Sequence, residues 1–92
     1  MPTWSDFIGF LKNYRVTKEI SGHRFEIFTS FNGIYVKCVT CDVISFDVSE
    51  GTYQFDKVLE NIENWVKRHL EDSADIKSSL ERKGWKVEEK DC

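Results

Sequence analysis

Apolar residues near the start of the chain recur at helical spacing. Trp4, Phe7, Ile8, Phe10 and Leu11 fall three and four positions apart behind Thr3 and Asp6, a capping pair, and predict a helix to about Tyr14. Gly9 lies inside it, where glycine costs about 1 kcal/mol relative to alanine, so a close approach of its bare backbone to a neighbour is expected. Arg15 to Ser21 is rich in β-branched residues without clean alternation and reads as an edge strand ending at Gly22.

Alternation is clearer beyond that glycine. Phe25, Ile27 and Phe31 mark the inward side of one strand, Asn32-Gly33 is a favoured type I′ turn dipeptide, and Ile34, Val36 and Cys38 mark the inward side of the next. With Asn32 and Gly33 central in the turn, Phe31 pairs with Ile34, Thr29 with Val36 and Ile27 with Cys38. The outer face then receives Glu26, Ser30, Tyr35 and Lys37, with Phe28 opposite Lys37. Val43 to Val48 alternates again, placing Ile44, Phe46 and Val48 inward.

From Thr52, the expected N-cap, Phe55, Val58, Leu59, Ile62, Trp65, Val66 and Leu70 hold the helical period without a miss. A shorter helix from about Ser73 carries Ile76 and Leu80 to a C′ glycine at Gly84, with Trp85 as the apolar contact beyond it. The pattern predicts an α+β fold: an N-terminal helix, an antiparallel meander of three or four strands, then a long and a short helix packed on one face of the sheet. Residues 1–85 are expected to form one domain, with 86–92 as a frayed polar tail. Phe7, Ile8, Leu11, Phe46, Phe55, Val58, Leu59, Ile62, Trp65 and Val66 are the expected helix and strand contributions to its core.

Composition narrows the class. A chain of 92 residues supports one core, and 14% aromatic with 32% charged residues is globular rather than disordered. The first residues lack a basic leader, and no apolar run approaches the roughly 20 residues of a membrane span, which points to a cytoplasmic protein without a membrane partner. Three cysteines, Cys38, Cys41 and Cys92, make an odd number and argue against a disulfide framework. The net charge of −3 combines a slightly basic first half with an acidic second half.

The candidate chemistry begins with Cys38-Val39-Thr40-Cys41. Residues three apart on a continuous strand point to opposite faces, so these sulfurs share a metal only if the backbone turns between them. A break near Thr40 to Asp42 is expected, because an unbroken strand from Ile34 to Val48 exceeds the usual maximum of about 10 residues. Zinc needs four ligands in a structural site; beside the two cysteines the remaining candidates are His69, His23 and Cys92, and Cys38, Cys41 and His69 alone make an incomplete set. The competing expectation is free, buried thiols, with His69 placed to favour a helix C-terminus.

A second candidate is the basic cluster Lys12, Arg15, Lys18 and Arg24. The helix, strands, helix order resembles that of the double-stranded-RNA-binding domain, and Gly22-His23-Arg24-Phe25 echoes the turn that such domains place in a minor groove. The resemblance implies duplex contact by the basic cluster. It departs where the long helix begins, because Thr52-Tyr53-Gln54-Phe55-Asp56-Lys57 carries one lysine beside an aspartate rather than a lysine cluster.

No nucleophile elbow, phosphate-binding glycine loop or buried acid pair is legible, so no enzyme is expected. The reading that remains is a small, non-enzymatic binding or inhibitor-type module acting on a protein partner. Its expected surface is the outer sheet face, where Phe28, Tyr35 and Val39 sit among Glu26 and Lys37; a homodimer could use the same face.

Overall fold

The structure, a computed structural model, describes residues 1–88. Of the tail expected at 86–92, residues 89–92, Cys92 among them, lie outside that range. The elements are α1 (Trp4–Asn13), β1 (Val16–Ile20), β2 (His23–Ser30), β3 (Gly33–Cys38), β4 (Val43–Ile44) and α2 (Phe55–Arg82). The strands form one antiparallel sheet in the order β1-β2-β3-β4, an α+β meander with both helices contributing to the core on one face. No helix among the described residues is long and apolar enough to cross a membrane.

α1 begins as its sequence requires. The Thr3 hydroxyl accepts from Asp6 N–H while the Asp6 carboxylate accepts from Thr3 N–H at 2.9 Å, a reciprocal capping box. Phe7, Ile8 and Leu11 are buried against Val58 and Ile62 of α2 and against Phe25, Ile34, Val36 and Cys38 of the sheet. Gly9 has no neighbour where a Cβ would stand, so no close approach explains it.

The β2–β3 hairpin differs from the expected register by two residues. Ser30 pairs with Gly33, Thr29 with Ile34, Ile27 with Val36 and Phe25 with Cys38, so Phe31 and Asn32 are the central turn residues. Both adopt positive φ, 49° and 60°, as a type I′ turn demands. Phe31 is accordingly thrown into solvent, 97% exposed, rather than inward. Gly33 is needed for a different reason from turn geometry: a Cβ there would meet Asp47 Oδ2 at 2.8 Å. A two-residue shift preserves strand parity, so Phe25, Ile34, Val36 and Cys38 are buried as expected while Phe28 faces Tyr35 instead of Lys37.

The segment expected as a strand from Val43 to Val48 is a strand only at Val43–Ile44; of its expected inward residues Val48 is half-buried and packs against the core, but Ile44 and Phe46 face outward. Ser45 and Ser49 are buried, whereas Ile44 and Phe46 are 59% and 94% exposed. The reason is the hydrogen-bonding demand of β3. Val36 N–H donates to Ser45 Oγ at 3.0 Å and Ile34 N–H to Asp47 Oδ1 at 3.1 Å, so side chains take the place of strand carbonyls. Asp47 Oδ1 also accepts from Ser49 N–H and from the Ser49 hydroxyl, which in turn accepts from the Trp4 indole N–H at 2.6 Å. Partial burial pushes the Asp47 carboxyl up, but the bonds from Ser49 and Ile34 outweigh it and hold the pKa below the ordinary value.

Asp47→Ala is therefore expected to cost about 1–3 kcal/mol in urea denaturation, because it strands the Ile34 N–H beside a buried side chain. A pKa depressed in the folded state contributes stability that is present above the unfolded value near 3.8 and is lost as pH falls below it. The parent should lose this contribution below about pH 4 while the alanine variant, measured side by side, does not. Equal acid sensitivity of the two proteins would refute the assignment.

The C-terminal half is one helix, not two: α2 runs unbroken for 28 residues through Ser73. Its N-cap is Gln54 rather than Thr52, whose hydroxyl accepts from Gln54 N–H. Val58 and Ile62 are buried, and Phe55, Trp65, Val66 and Leu70 pack against the core; Leu59 is half-buried. Beyond Ser73 the helix overhangs the sheet, with Ile76 and Leu80 exposed. It closes at Gly84, φ 92°, where Trp85 N–H bonds Leu80 O and Gly84 N–H bonds Glu81 O in a Schellman arrangement. Trp85 itself is 67% exposed.

Candidate metal centre

Four side chains converge where the end of β3 meets the middle of α2. One ligand atom each from His23, Cys38, Cys41 and His69 lies within 4.8 Å of the other three. Cys38 ends β3 on the inner face, and the chain turns through residues 39–42, with Asp42 at φ 58°, which brings Cys41 back beside Cys38. This is the backbone break that the Cys-x-x-Cys spacing required. The turn is tied to β2 through Val39 N–H to Arg24 O and Arg24 N–H to the Thr40 hydroxyl.

His23 starts β2 just past the turn at Ser21 and Gly22, where φ is 51° and 79°. Phe25 pairs with Cys38, and His23, two residues earlier, shares its inner face, so the register delivers this imidazole to the sulfurs. His23 Nδ1 stands 3.5 Å from Cys38 Sγ and 3.4 Å from Cys41 Sγ. His69 arrives from α2, stacked on Trp65 with ring centres 5.2 Å apart and planes 5° from parallel, and set edge-on to both Phe25 and His23. Because α2 continues to Arg82, His69 is mid-helix and the C-terminal dipole does not account for it.

Zn–N near 2.05 Å and Zn–S near 2.3 Å put tetrahedral N···S edges at about 3.6 Å, close to the His23 distances, and the longest edge of the group would contract by about 1 Å. His69 Nε2 is buried without a hydrogen-bond partner, an orphan that a metal bond would satisfy. Burial, then the neighbouring His23, holds the His69 pKa below its ordinary value against a pull from Asp72, which favours the neutral, ligating imidazole. Burial pushes the Cys38 thiol up, with Cys41 acting on it in both directions. A divalent cation is the charge that would make it a thiolate. Two cysteine sulfurs and two imidazoles, contracted to tetrahedral spacing, are the donor set that would suit zinc among the common metals.

The other candidate residues are dispersed. Lys18 pairs with Phe25 on the inner face, where it lines an apolar groove between β1 and α2, whereas Arg24 pairs with Glu19 on the outer face. With Lys12 in the last turn of α1 and Arg15 ahead of β1, the four do not share one face of the sheet. On the outer face, Phe28 and Tyr35 stack at 5.6 Å with Lys37 Nζ 5.2 Å from the Phe28 ring centre, and Glu26 pairs with Lys37. Val39 belongs to the turn rather than to the strand. Of the four side chains, His23 is the one that strand parity within the observed register brings to the sulfurs. Neither protein-family models nor curated proteins nor solved structures contain a match to this chain, so the chemistry of these four side chains is what characterises the site.

Proposed function

We propose that this protein is a non-enzymatic binding module whose sheet and long helix are fastened together by a structural zinc ion. The observation that carries the reading is the convergence of His23, Cys38, Cys41 and His69 within 4.8 Å, from β2, β3, the following turn and α2. Three segments distant in sequence meet there. A shared ion would therefore act as a long-range clasp, and its binding free energy would add to folding free energy. The small core supports the need for one, because the buried side chains do not extend along α2 past Ile62.

The surface offered to a partner is the outer sheet face. Phe28, Tyr35 and Lys37, each half-buried, form a continuous aromatic and cationic ladder there, bordered by Glu26, on the face opposite the core to which both helices contribute. Aromatic anchors inside a polar rim are the composition that protein interfaces favour.

Native mass spectrometry of protein produced with zinc in the medium tests the metal. About one zinc per chain is expected, removed by a strong chelator together with part of the folded signal in circular dichroism. A metal-free mass, and a spectrum and melting curve indifferent to zinc and chelator, would overturn the reading.

A further inference from the structure

The two sulfur ligands are unequal. Cys38 has no exposed surface, whereas Cys41 is exposed and opens onto a cleft of about 490 Å³ between the β-turns and the overhanging half of α2, lined by Ser21, Thr40, Ala74 and Lys77 among others. An oxidant of the size of hydrogen peroxide therefore reaches one sulfur directly and the other only through it. The sulfurs also lie within 4.8 Å of each other across a four-residue turn, so side-chain rotation with a modest backbone adjustment brings them to the roughly 2.05 Å of a disulfide bond.

We propose that this centre is a peroxide-sensitive switch, in which Cys41 is oxidised first, Cys38 resolves it to a disulfide, and the zinc leaves. The proposal rests on the zinc reading above. In the first step the Cys41 sulfur attacks one peroxide oxygen; the O–O bond breaks, the leaving hydroxide takes a proton to become water, and a sulfenic acid remains. In the second, the Cys38 thiolate attacks the Cys41 sulfur, the S–S bond forms and the S–O bond breaks, the departing hydroxide again taking a proton. Two sulfurs lose one electron each, one peroxide becomes two waters, and two protons are consumed. A disulfide no longer offers two thiolate charges, which leaves two neutral imidazoles as an inadequate zinc site.

The structural consequence follows from the placement of His69. Its ring is the α2 ligand, and the helix beyond Ser73 has no buried residue of its own. Zinc release thus frees the helix from about His69 onward, so oxidation is read out as a change in the order of the overhang and of the cleft it borders.

The experiment uses zinc-loaded protein carrying Cys92→Ser, with hydrogen peroxide as oxidant and a chromogenic zinc chelator in solution. The expected result is release of about one zinc per chain in step with a mass loss of about 2 Da, a Cys38–Cys41 linkage in the digest, and faster hydrogen exchange in residues 69–82. A thiol reductant should restore both the mass and zinc uptake. Zinc retained under peroxide that fully oxidises a free thiol of the same concentration would overturn the switch. So would zinc lost with sulfinic or sulfonic cysteines in place of the disulfide. A starting protein without zinc overturns the metal reading as well, and is recognised before any oxidant is added.

Discussion

His23→Ala should abolish the response of the protein to zinc. In the parent, free zinc at a thousandfold excess over its dissociation constant adds about 4 kcal/mol to folding, which for a domain of this size raises the melting temperature by about 15 °C or more. The variant lacks the ligand whose Nδ1 faces both sulfurs, so its melting temperature in zinc should fall to the chelator-treated level. His23 is half-buried and contributes no side chain to the buried core, so parent and variant should melt close together once chelator is present. The difference between the two zinc responses is thus the measure, and it separates a lost ligand from a damaged fold. A parent that melts at the same temperature with zinc and with chelator would remove the basis of the metal site. A variant that keeps the full zinc response would remove His23 from it.

Parity is the property that the sequence carried most securely here, and register the one it carried least. The alternation of Phe25, Ile27, Ile34, Val36 and Cys38 survives a two-residue slip unchanged, so the buried face was legible even with the turn placed one residue late. The slip nevertheless matters for chemistry. With Cys38 opposite Ile27, His23 would lie four positions away along the strand; with Cys38 opposite Phe25, it is the next inward residue. Asn32-Gly33 misleads because Gly33 serves close approach to Asp47, a partner 14 positions away whose demand no local pattern reveals.

The segment after β4 shows the same limit in another form. Ile44, Phe46 and Val48 alternate as a strand should, yet Val48 alone of the three packs against the core, and the buried positions are Ser45 and Ser49 because β3 needs acceptors more than this edge needs apolar cover. Propensity likewise does not mark a boundary at Ser73, since serine is tolerated within a helix and the overhang is exposed whether or not the helix continues. By contrast, the capping box at Thr3 and the glycine stop at Gly84 are local devices, and local sequence sufficed for both.

Phe25→Ala is expected to be the most damaging single substitution in the metal-free protein, at about 3–5 kcal/mol in urea denaturation with excess chelator. Phe25 is 3% exposed and lies at the junction of three elements. It pairs with Lys18 of β1 and Cys38 of β3, and its ring sits edge-on to Trp65 at 6.3 Å and His69 at 5.8 Å on α2. Truncation removes the packing surface against which those rings are set and leaves a cavity that a sheet hydrogen-bonded on both sides of β2 cannot readily collapse to fill. Because the same ring positions His69, the variant should also bind zinc more weakly, by tenfold or more, although it removes no ligand. Phe25→Leu separates the two effects: it restores most of the buried volume, so stability without metal should largely recover, while the edge-on contact that orients the His69 ring stays lost and zinc affinity recovers only in part. A loss below about 1 kcal/mol for the alanine variant would mean that the sheet and α2 are held together elsewhere. Full recovery of zinc affinity in the leucine variant would mean that His69 is oriented by Trp65 alone.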